Sequence, residues 1–377
     1  MDKVRETVTT KMLAEQNRAR VLHLLYTEKQ LTRRAIGDEL NLSAPTVSKI
    51  VDSLIEEGLI TEGVALQSSG GRKPRTLSFV PLSHYSVGVE IALHRIRFVI
   101  VDLWGSIYTT KSFQIEFEAS ERYLRTVSQT INTFIDRSQI DEKQILGIGI
   151  AICGIVHGDS LIVEYSSTLN VRNWDISLLG EELRFPIMLI NDAYAAGCIE
   201  IRNSTRMNKM FYLSLSEGIS GALLIDNEVF TGYNNRAGAI GSMLIPAIGR
   251  DANASPLQNS FETNCSSTVL TKAFDESLEV FFLMLKKKEP RHVELWDTYL
   301  QNLAIAISNI RNLVDVAIVL GGTLGPYLDD HVDRLLDLTM QHSPFQEKAI
   351  FIRVAYHANN AASVGAAMQF VNRFLDF

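Results

Sequence analysis

Apolar residues recur at helical spacing near the start of the chain and give way beyond residue 84 to short, nearly uninterrupted runs, so the pattern alone divides the molecule in two. Val21, Leu22, Leu24 and Leu25 mark a first helix between Asn17 and Thr27. Thr32 stands where a side-chain oxygen caps a second helix carrying Ala35, Ile36 and Leu40. Asn41 and Leu42 make a turn, Ser43 caps a third helix over Ala44 to Glu56, Pro45 fits its first turn, and Val47, Ile50, Val51 and Leu54 form its buried stripe. After Gly58, LITEGVA and RTLSFVP bracket SSGGRK and predict a hairpin with a glycine-rich, basic tip. Pro81 to His84 reads as a linker.

Beyond it, Tyr85 to Leu93, Arg95 to Asp102 and Ile107 to Phe113 predict the opening meander of a sheet. Tyr123 to Arg137 predicts an amphipathic helix, and Ile145 to Ile152 and Ile187 to Ile190 predict buried strands, the latter ending in Asn191 and Asp192. Met210 to Leu215 and Ala222 to Ile225 flank a turn with Gly218 and Gly221; helical segments through Phe274 to Lys286 and Val293 to Leu313 lead to a strand at Val316 to Leu320 ending in Gly321 and Gly322. Helices alternate with buried strands, so the body is α/β, with two sheet lobes and a cleft between them. Glycines at strand ends suit either phosphate or a tight turn.

The front module reads as a winged helix-turn-helix, residues 1–82, followed by a body over 83–377. Ala44, Thr46, Ser48 and Lys49 face outward on the third helix, small or polar groups suited to a major groove. Arg72, Lys73 and Arg75 on the hairpin suit backbone phosphate or the minor groove. Charge sharpens the division. The net charge of −7 excludes a uniformly basic DNA binder, but residues 1–82 carry 12 Lys and Arg against 10 Asp and Glu, while the remainder carries 24 against 33. With 46% hydrophobic and 21% charged residues and no long apolar run, the expectation is a cytoplasmic protein with no membrane segment. Cys153, Cys198 and Cys265 have no metal spacing, and the histidines, His94 and His157 among them, form no ligand pattern.

GIGIAICGIV from Gly147, SSTLNVRNWD from Ser166, INDAYAAG from Ile190, TGYNNRAGAIGSM from Thr231 and VLGGTLG from Val319 occur in the order in which they stand in the ROK family of sugar kinases and sugar-responsive repressors. The chain resembles its repressor branch, which includes regulators of xylose and N-acetylglucosamine operons. That resemblance implies an actin-like, ribonuclease H-like ATPase-type body in two lobes, a homodimer or higher homo-oligomer on a double-stranded DNA operator, and a sugar or sugar-derivative effector. It implies ligand-binding roles for Asn170, Asn191, Asp192 and Glu262, with Asp192 at the family's catalytic-base position.

Departures from the family pattern argue against catalysis. Ala92, Leu93 and His94 follow Glu90 where a glycine-rich, phosphate-binding turn belongs, and Glu217 sets a negative charge in the second phosphate motif. Ala239 and Ser242 replace the family's sugar-binding glutamate and its zinc-touching histidine, and Cys265 stands without the usual cysteine cluster, so neither a cofactor nor zinc is expected. The expectation is a regulator without enzymatic activity, answering to a sugar, to another small effector or to a protein partner. A helix cap at Asp192 and a lobe contact at Glu262 stand as the structural alternatives.

Overall fold

Capping chemistry sets the first elements. In a computed structural model, which describes residues 10–65, 75–158, 160–202, 204, 207–246, 248, 259–345, 351–356 and 359–375, helix α1 (Thr10–Glu28) leads through β1 (Gln30–Thr32) into α2 (Arg33–Leu40) and α3 (Ala44–Glu56). Thr32 Oγ1 accepts the Ala35 N–H at 3.2 Å and Ser43 Oγ the Thr46 N–H at 3.4 Å, so both helices begin where the sequence places their caps. Asn41 closes α2 in the left-handed conformation, φ 54°. Strands β2 (Ile60–Ala65) and β3 (Arg75–Phe79) pair antiparallel, and β1 adds to β3. The hairpin tip, with Arg72 and Lys73, lies outside the described residues.

The segment read as a linker is packed against the body. Pro81–Ser83 forms a single 3₁₀ turn; the Leu103 N–H donates to the Pro81 carbonyl at 3.1 Å, Gln144 Nε2 donates to the Ser83 carbonyl at 3.0 Å, and the His84 ring lies 4.6 Å from that of Phe374. One apolar cluster runs from Val21, Leu25, Val51, Leu77 and Phe79 into Val99, Val101, Leu103, Ile199, Met368 and Leu375.

The body opens with β4 (Tyr85–Ile91), β5 (Arg95–Asp102), β6 (Ile107–Gln114), α4 (Glu121–Ser138) and β7 (Ile145–Ile152). A small antiparallel sheet follows, β8 (Ile155–His157), β9 (Ile162–Ser166) and β10 (Val171–Asp175), then α5 (Leu178–Glu182), β11 (Ile187–Asn191) and α6 (Asp192–Arg202). The first large sheet has the order β11-β7-β4-β5-β6, with β11, β7 and β4 parallel. The second lobe holds β12 (Lys209–Leu215), β13 (Ile219–Ile225), β14 (Glu228–Phe230), α7 (Phe261–Cys265), α8 (Ser267–Phe274), α9 (Leu278–Lys286), α10 (Pro290–Val314), β15 (Ala317–Gly321), α11 (Gly325–Leu328), α12 (Val332–Gln341) and β16 (Ile352–Val354), and the chain returns through α13 (Ala361–Leu375). Its sheet order is β14-β13-β12-β15-β16. The helix expected from Phe274 is two: Phe274 ends α8, Asp275 takes a left-handed φ of 54°, and Ser277 caps α9. Gly221 lies within β13, not in the turn before it.

Helix α13 crosses from the second lobe to lie on β4 and β7 and against α6. Small residues permit this approach. A Cβ at Gly88, Gly149 or Gly365 would stand under 3.0 Å from the carbonyl oxygen of Ser363, Ala366 or Ala195 respectively, so these backbones touch directly. No described helix is long and apolar enough to cross a membrane.

Candidate functional site

Where β11 runs into α6, polar side chains meet the space between the lobes. Asn191 Nδ2 donates to the Gly154 carbonyl at 2.8 Å and its Oδ1 accepts the Tyr194 N–H at 2.9 Å. Asn191, not Asp192, is therefore the residue that caps α6, since it stands one position before the helix and reaches the N–H three residues on. Asp192 Oδ1 accepts the Ala193 N–H at 2.8 Å and the Ser220 hydroxyl at 3.1 Å. Asp192 keeps some accessible area, but protein atoms crowd its carboxylate between the lobes. Burial, aided by the charge of Glu90, pushes it up to about 6 against the downward pull of the Ala193 and Ser220 bonds.

Glu262 comes from the second lobe. Ser260 caps α7 through the Thr263 N–H at 3.2 Å, which sets Glu262 in the first turn with Oε2 accepting the Ile219 N–H at 3.0 Å. Asn191, Ser220, Ala239, Ser242, Glu262 and the thiol of Cys153 all line one cavity of about 800 Å³, a size suited to a small-molecule ligand. Burial pushes the Cys153 thiol up, which leaves it a poor nucleophile. Asn170 is not among the lining residues. It occupies the turn between β9 and β10 with φ 52°, a conformation asparagine adopts readily, and is exposed there.

Side chains that sequence reasoning passed over form the mouth of the cavity. Glu164 of β9 accepts from His157 Nε2 at 2.9 Å and pairs with Arg236, which reaches across from the second lobe. Those two partners hold the Glu164 carboxyl below its ordinary range. Arg172 of β10 lies 4.5 Å over the Tyr165 ring. Tyr194 Oη donates to the Ala237 carbonyl at 2.6 Å, tying α6 to the loop that carries Arg236. Arg172 and Arg236 lie inside the quoted motifs, but Glu164 and Arg236 are 72 residues apart and no local periodicity pairs them.

On the other side of Asp192 a narrow cleft of about 30 Å³ is lined by Glu90, Arg95, Arg97 and Thr323. Arg97 closes on Glu90 at 2.9 Å. The turn at Ala92, Leu93 and His94 is tied down by the Ala92 N–H to the Arg95 carbonyl at 3.0 Å, the Phe117 N–H to the Leu93 carbonyl at 2.8 Å, and His94 to Glu116 at 2.7 Å. Among the described residues no group of three or more His, Cys, Asp or Glu side chains is placed to hold a metal ion. Cys265 is buried in the apolar core of the second lobe.

At the amino-terminal face, Ala44 and Lys49 are exposed and Thr46 and Ser48 half-buried. The Thr46 hydroxyl lies 2.8 Å from that of Ser43. Arg75 is exposed and pairs with Glu62 at 3.1 Å; Glu62 also holds Arg33 at 2.8 Å. Helix α6 joins this region to the cavity. It starts at Asp192 and ends at Arg202, whose guanidinium hydrogen-bonds the Tyr26 hydroxyl of α1, stacks 5.2 Å over that ring and donates to Asn372 Oδ1 of α13 at 2.9 Å.

Two stacked five-stranded lobes with a polar cavity between them, preceded by a helix-turn-helix-like segment, define an actin-like α/β protein. Residues 86–373 match the ROK family, and the chain belongs to it. Residues 15–66 match the MarR family. The chain is 28% identical over 232 residues to a xylose repressor of Bacillus spizizenii, covering 61% of this chain and 60% of that protein. It is 22% identical over 241 residues to the DNA-binding transcriptional dual regulator NagC of Escherichia coli, covering 63% and 59%. The matched stretch thus spans less than two thirds of these relatives' own length. A solved ROK family transcriptional regulator, described as a homologue of the E. coli MLC protein, superposes with a TM-score of 0.76 at 18% identity, covering 96% of this chain and 98% of that one. A ROK family glucokinase from Streptomyces griseus, in complex with glucose and AMPPNP, gives 0.60 at 19% identity over 76% and 98%. The family holds both kinases and regulators.

Proposed function

We propose that the chain is a DNA-binding transcriptional repressor whose ROK body senses a sugar or sugar derivative and performs no phosphoryl transfer. The observation that carries this reading is α6, with the cavity at its first residues and the amino-terminal helices at its last. At 11 residues it spans roughly 16 Å as a stiff rod. A ligand that prefers one arrangement of the lobes shifts the Asn191 end of this rod and, through Arg202 and Tyr26, the pose of α1. Against catalysis stand the filled turn at Leu93 and His94 and the Glu90–Arg97 pair beside Asp192, because in-line transfer needs a positioned phosphate as well as a base.

In this reading α1 to α3 with β2 and β3 belong to a winged helix-turn-helix, with α3 in the major groove through Ala44, Thr46, Ser48 and Lys49, and with Arg72, Lys73 and Arg75 on phosphate or in the minor groove. In this reading residues 1–82 are the DNA-binding unit and 83–377 the sensor, with Asn191, Ser220 and Glu262 on ligand hydroxyls, Asp192 behind them, and Asn170 contributing only if its turn moves inward. A homodimer would set two such faces on a pseudo-palindromic operator. Genome-fragment selection with the purified chain, repeated in a panel of sugars and sugar phosphates, tests the whole reading: a palindromic site released by one compound is expected, and failure to enrich any site overturns it.

Two substitutions separate the parts. Neutralising Arg72 and Lys73 together is expected to lower DNA affinity and flatten the log–log salt slope by about 2, read by anisotropy at several salt concentrations. Replacing Arg202 with glutamine is expected to leave ligand-free DNA affinity nearly intact but to remove much of the effector response, on the scale of the about 5- to 150-fold typical of coupled sites. A response of full size in that variant would remove α6 from the path.

A further inference from the structure

We propose that Glu62 is a specificity-determining residue of the DNA-binding unit: its carboxylate holds Arg75 away from the phosphates of non-cognate DNA and gives it up when α3 seats in the groove. This rests on the DNA-binding reading above and adds what sets its discrimination.

Alternation along β2 and β3 places the acid. Leu77 and Phe79 are buried on the side of β3 that faces the helices, Arg75 lies on the same side, and Glu62 stands opposite Leu77 where the two strands pair. A half-buried charge thus occupies a position where the pattern calls for an apolar residue. Its two oxygens are divided between two arginines. Oε1 accepts from Arg33 Nη2 at 2.8 Å and Oε2 from Arg75 Nη1 at 3.1 Å, and these partners hold the carboxyl below its ordinary range.

Arg33 is anchored further. At the first position of α2, it also reaches Asp52 Oδ1 at 2.8 Å and the Ser48 carbonyl at 3.4 Å, both on α3. Arg75 has no second anchor among the described residues, and its side chain is 67% exposed. The cluster runs Asp52, Arg33, Glu62, Arg75 from the recognition helix to the hairpin, with two positive charges against two negative. While closed, it adds no net attraction for phosphate.

A phosphate backbone alone must displace a carboxylate already fitted to Arg75, so non-cognate DNA gains little from this side chain. Arg33 shares Nη2 between Asp52 and Glu62. A shift of α3 into the groove that draws Asp52 away turns Arg33 wholly onto Glu62 and weakens the hold on Arg75. Seating of the helix and release of the arginine are therefore coupled through one carboxylate.

The test is fluorescence anisotropy of the full chain on a mixed-sequence duplex over a series of salt concentrations, for the native chain, Glu62→Gln, Arg75→Gln and the double variant. Glu62→Gln is expected to bind severalfold more tightly, with a log–log salt slope steeper by about 1, the signature of one added phosphate contact. Removing Arg75 is expected to cost about 1 in slope in the Glu62→Gln background and clearly less where Glu62 is present. Equal losses in both backgrounds, or a Glu62→Gln slope unchanged from the native one, overturn the proposal and leave the DNA-binding reading standing. On the duplex enriched by the genome-fragment selection, Glu62→Gln is expected to gain less than on the mixed sequence; a preference for the enriched site that holds or widens overturns the specificity assignment. Nitrogen-15 spectra of the native chain, with the Arg75 side chain assigned through Arg75→Lys, give a second measurement that needs no loss of charge. A guanidinium bound to Glu62 rotates slowly in the free chain and on the mixed duplex, and free rotation there overturns the proposal whether or not the variants fold. A native chain that binds no duplex defeats the DNA-binding reading and this proposal with it.

Discussion

Replacing Gly365 with valine is expected to abolish stable folding of the body. Helix α13 meets α6 through this residue, and any Cβ there lies under 3.0 Å from the Ala195 carbonyl. That obstacle is backbone held in a helix, with no rotamer to turn aside, so α13 must lift from the sheet. Overpacking ordinarily costs about 1–3 kcal/mol, and displacing a helix that also covers Gly88 and Gly149 sets the expected loss at the upper end or above, about 3 kcal/mol or more. Denaturant melts followed by circular dichroism measure it. Gly180→Ala is the matched control. It lies in α5, the nearest atom to an added Cβ is 3.6 Å away, and a gain of up to about 1 kcal/mol in helix propensity is expected. If both variants melted alike, direct backbone contact would not be what holds α13 down.

Asp192→Asn is expected to stabilise the protein at neutral pH. In the folded chain the carboxyl titrates at about 6, against 3.8 for an ordinary aspartate. Below pH 4 the acid is protonated in both folded and unfolded chains and contributes nothing. Between about pH 4 and 6 the unfolded chain releases the proton that the folded chain retains, so stability falls as pH rises, levelling above 6 at a deficit of up to roughly 3 kcal/mol for a shift of about two pH units. Asparagine keeps an Oδ1 for the Ala193 and Ser220 donors and puts no charge beside Glu90. Melts of the two proteins at pH 4 and pH 8 should therefore coincide more nearly at the lower pH and diverge at the higher. Equal stability at pH 8 would mean that solvent or a neighbour compensates the charge. A gain of this kind also marks Asp192 as a residue kept at a cost in stability.

The first three helices were legible because their signals are local: Thr32 and Ser43 sit one residue before α2 and α3, and a side-chain cap needs only the next three residues to form. The strand-like runs that predicted the opening meander are likewise local, and β4 to β6 follow them closely. Helix α13 was not predicted. Its run of Ala361, Ala362, Gly365, Ala366 and Ala367 is small rather than amphipathic, and its role is to let backbones touch, which leaves little trace in a hydrophobic pattern. The same limit governs the cavity. Motif order brought out Asn191, Asp192 and Glu262, and two of these line it, but the family's asparagine position falls on an exposed turn at Asn170. The pairing of Glu164 with Arg236 and the stacking of Arg172 on Tyr165 depend on which strands fold beside one another. The cap offered as an alternative at Asp192 falls one residue earlier, which leaves Asn191 the capping role and Asp192 a crowded, titratable carboxyl held by the Ala193 and Ser220 donors.

The apolar strip that runs from α1 and β3 onto β5 and the end of α13 has a bearing on how such proteins diversify. A helix-turn-helix on a flexible tether is a portable cassette, exchangeable between sensors without regard to what lies beneath it. Here the underside of the cassette is completed by Val99, Val101, Leu103, Met368 and Leu375. A chimera built by swapping residues 1–82 alone would graft one half of a shared core onto a foreign half, and a successful exchange has to carry those five positions along.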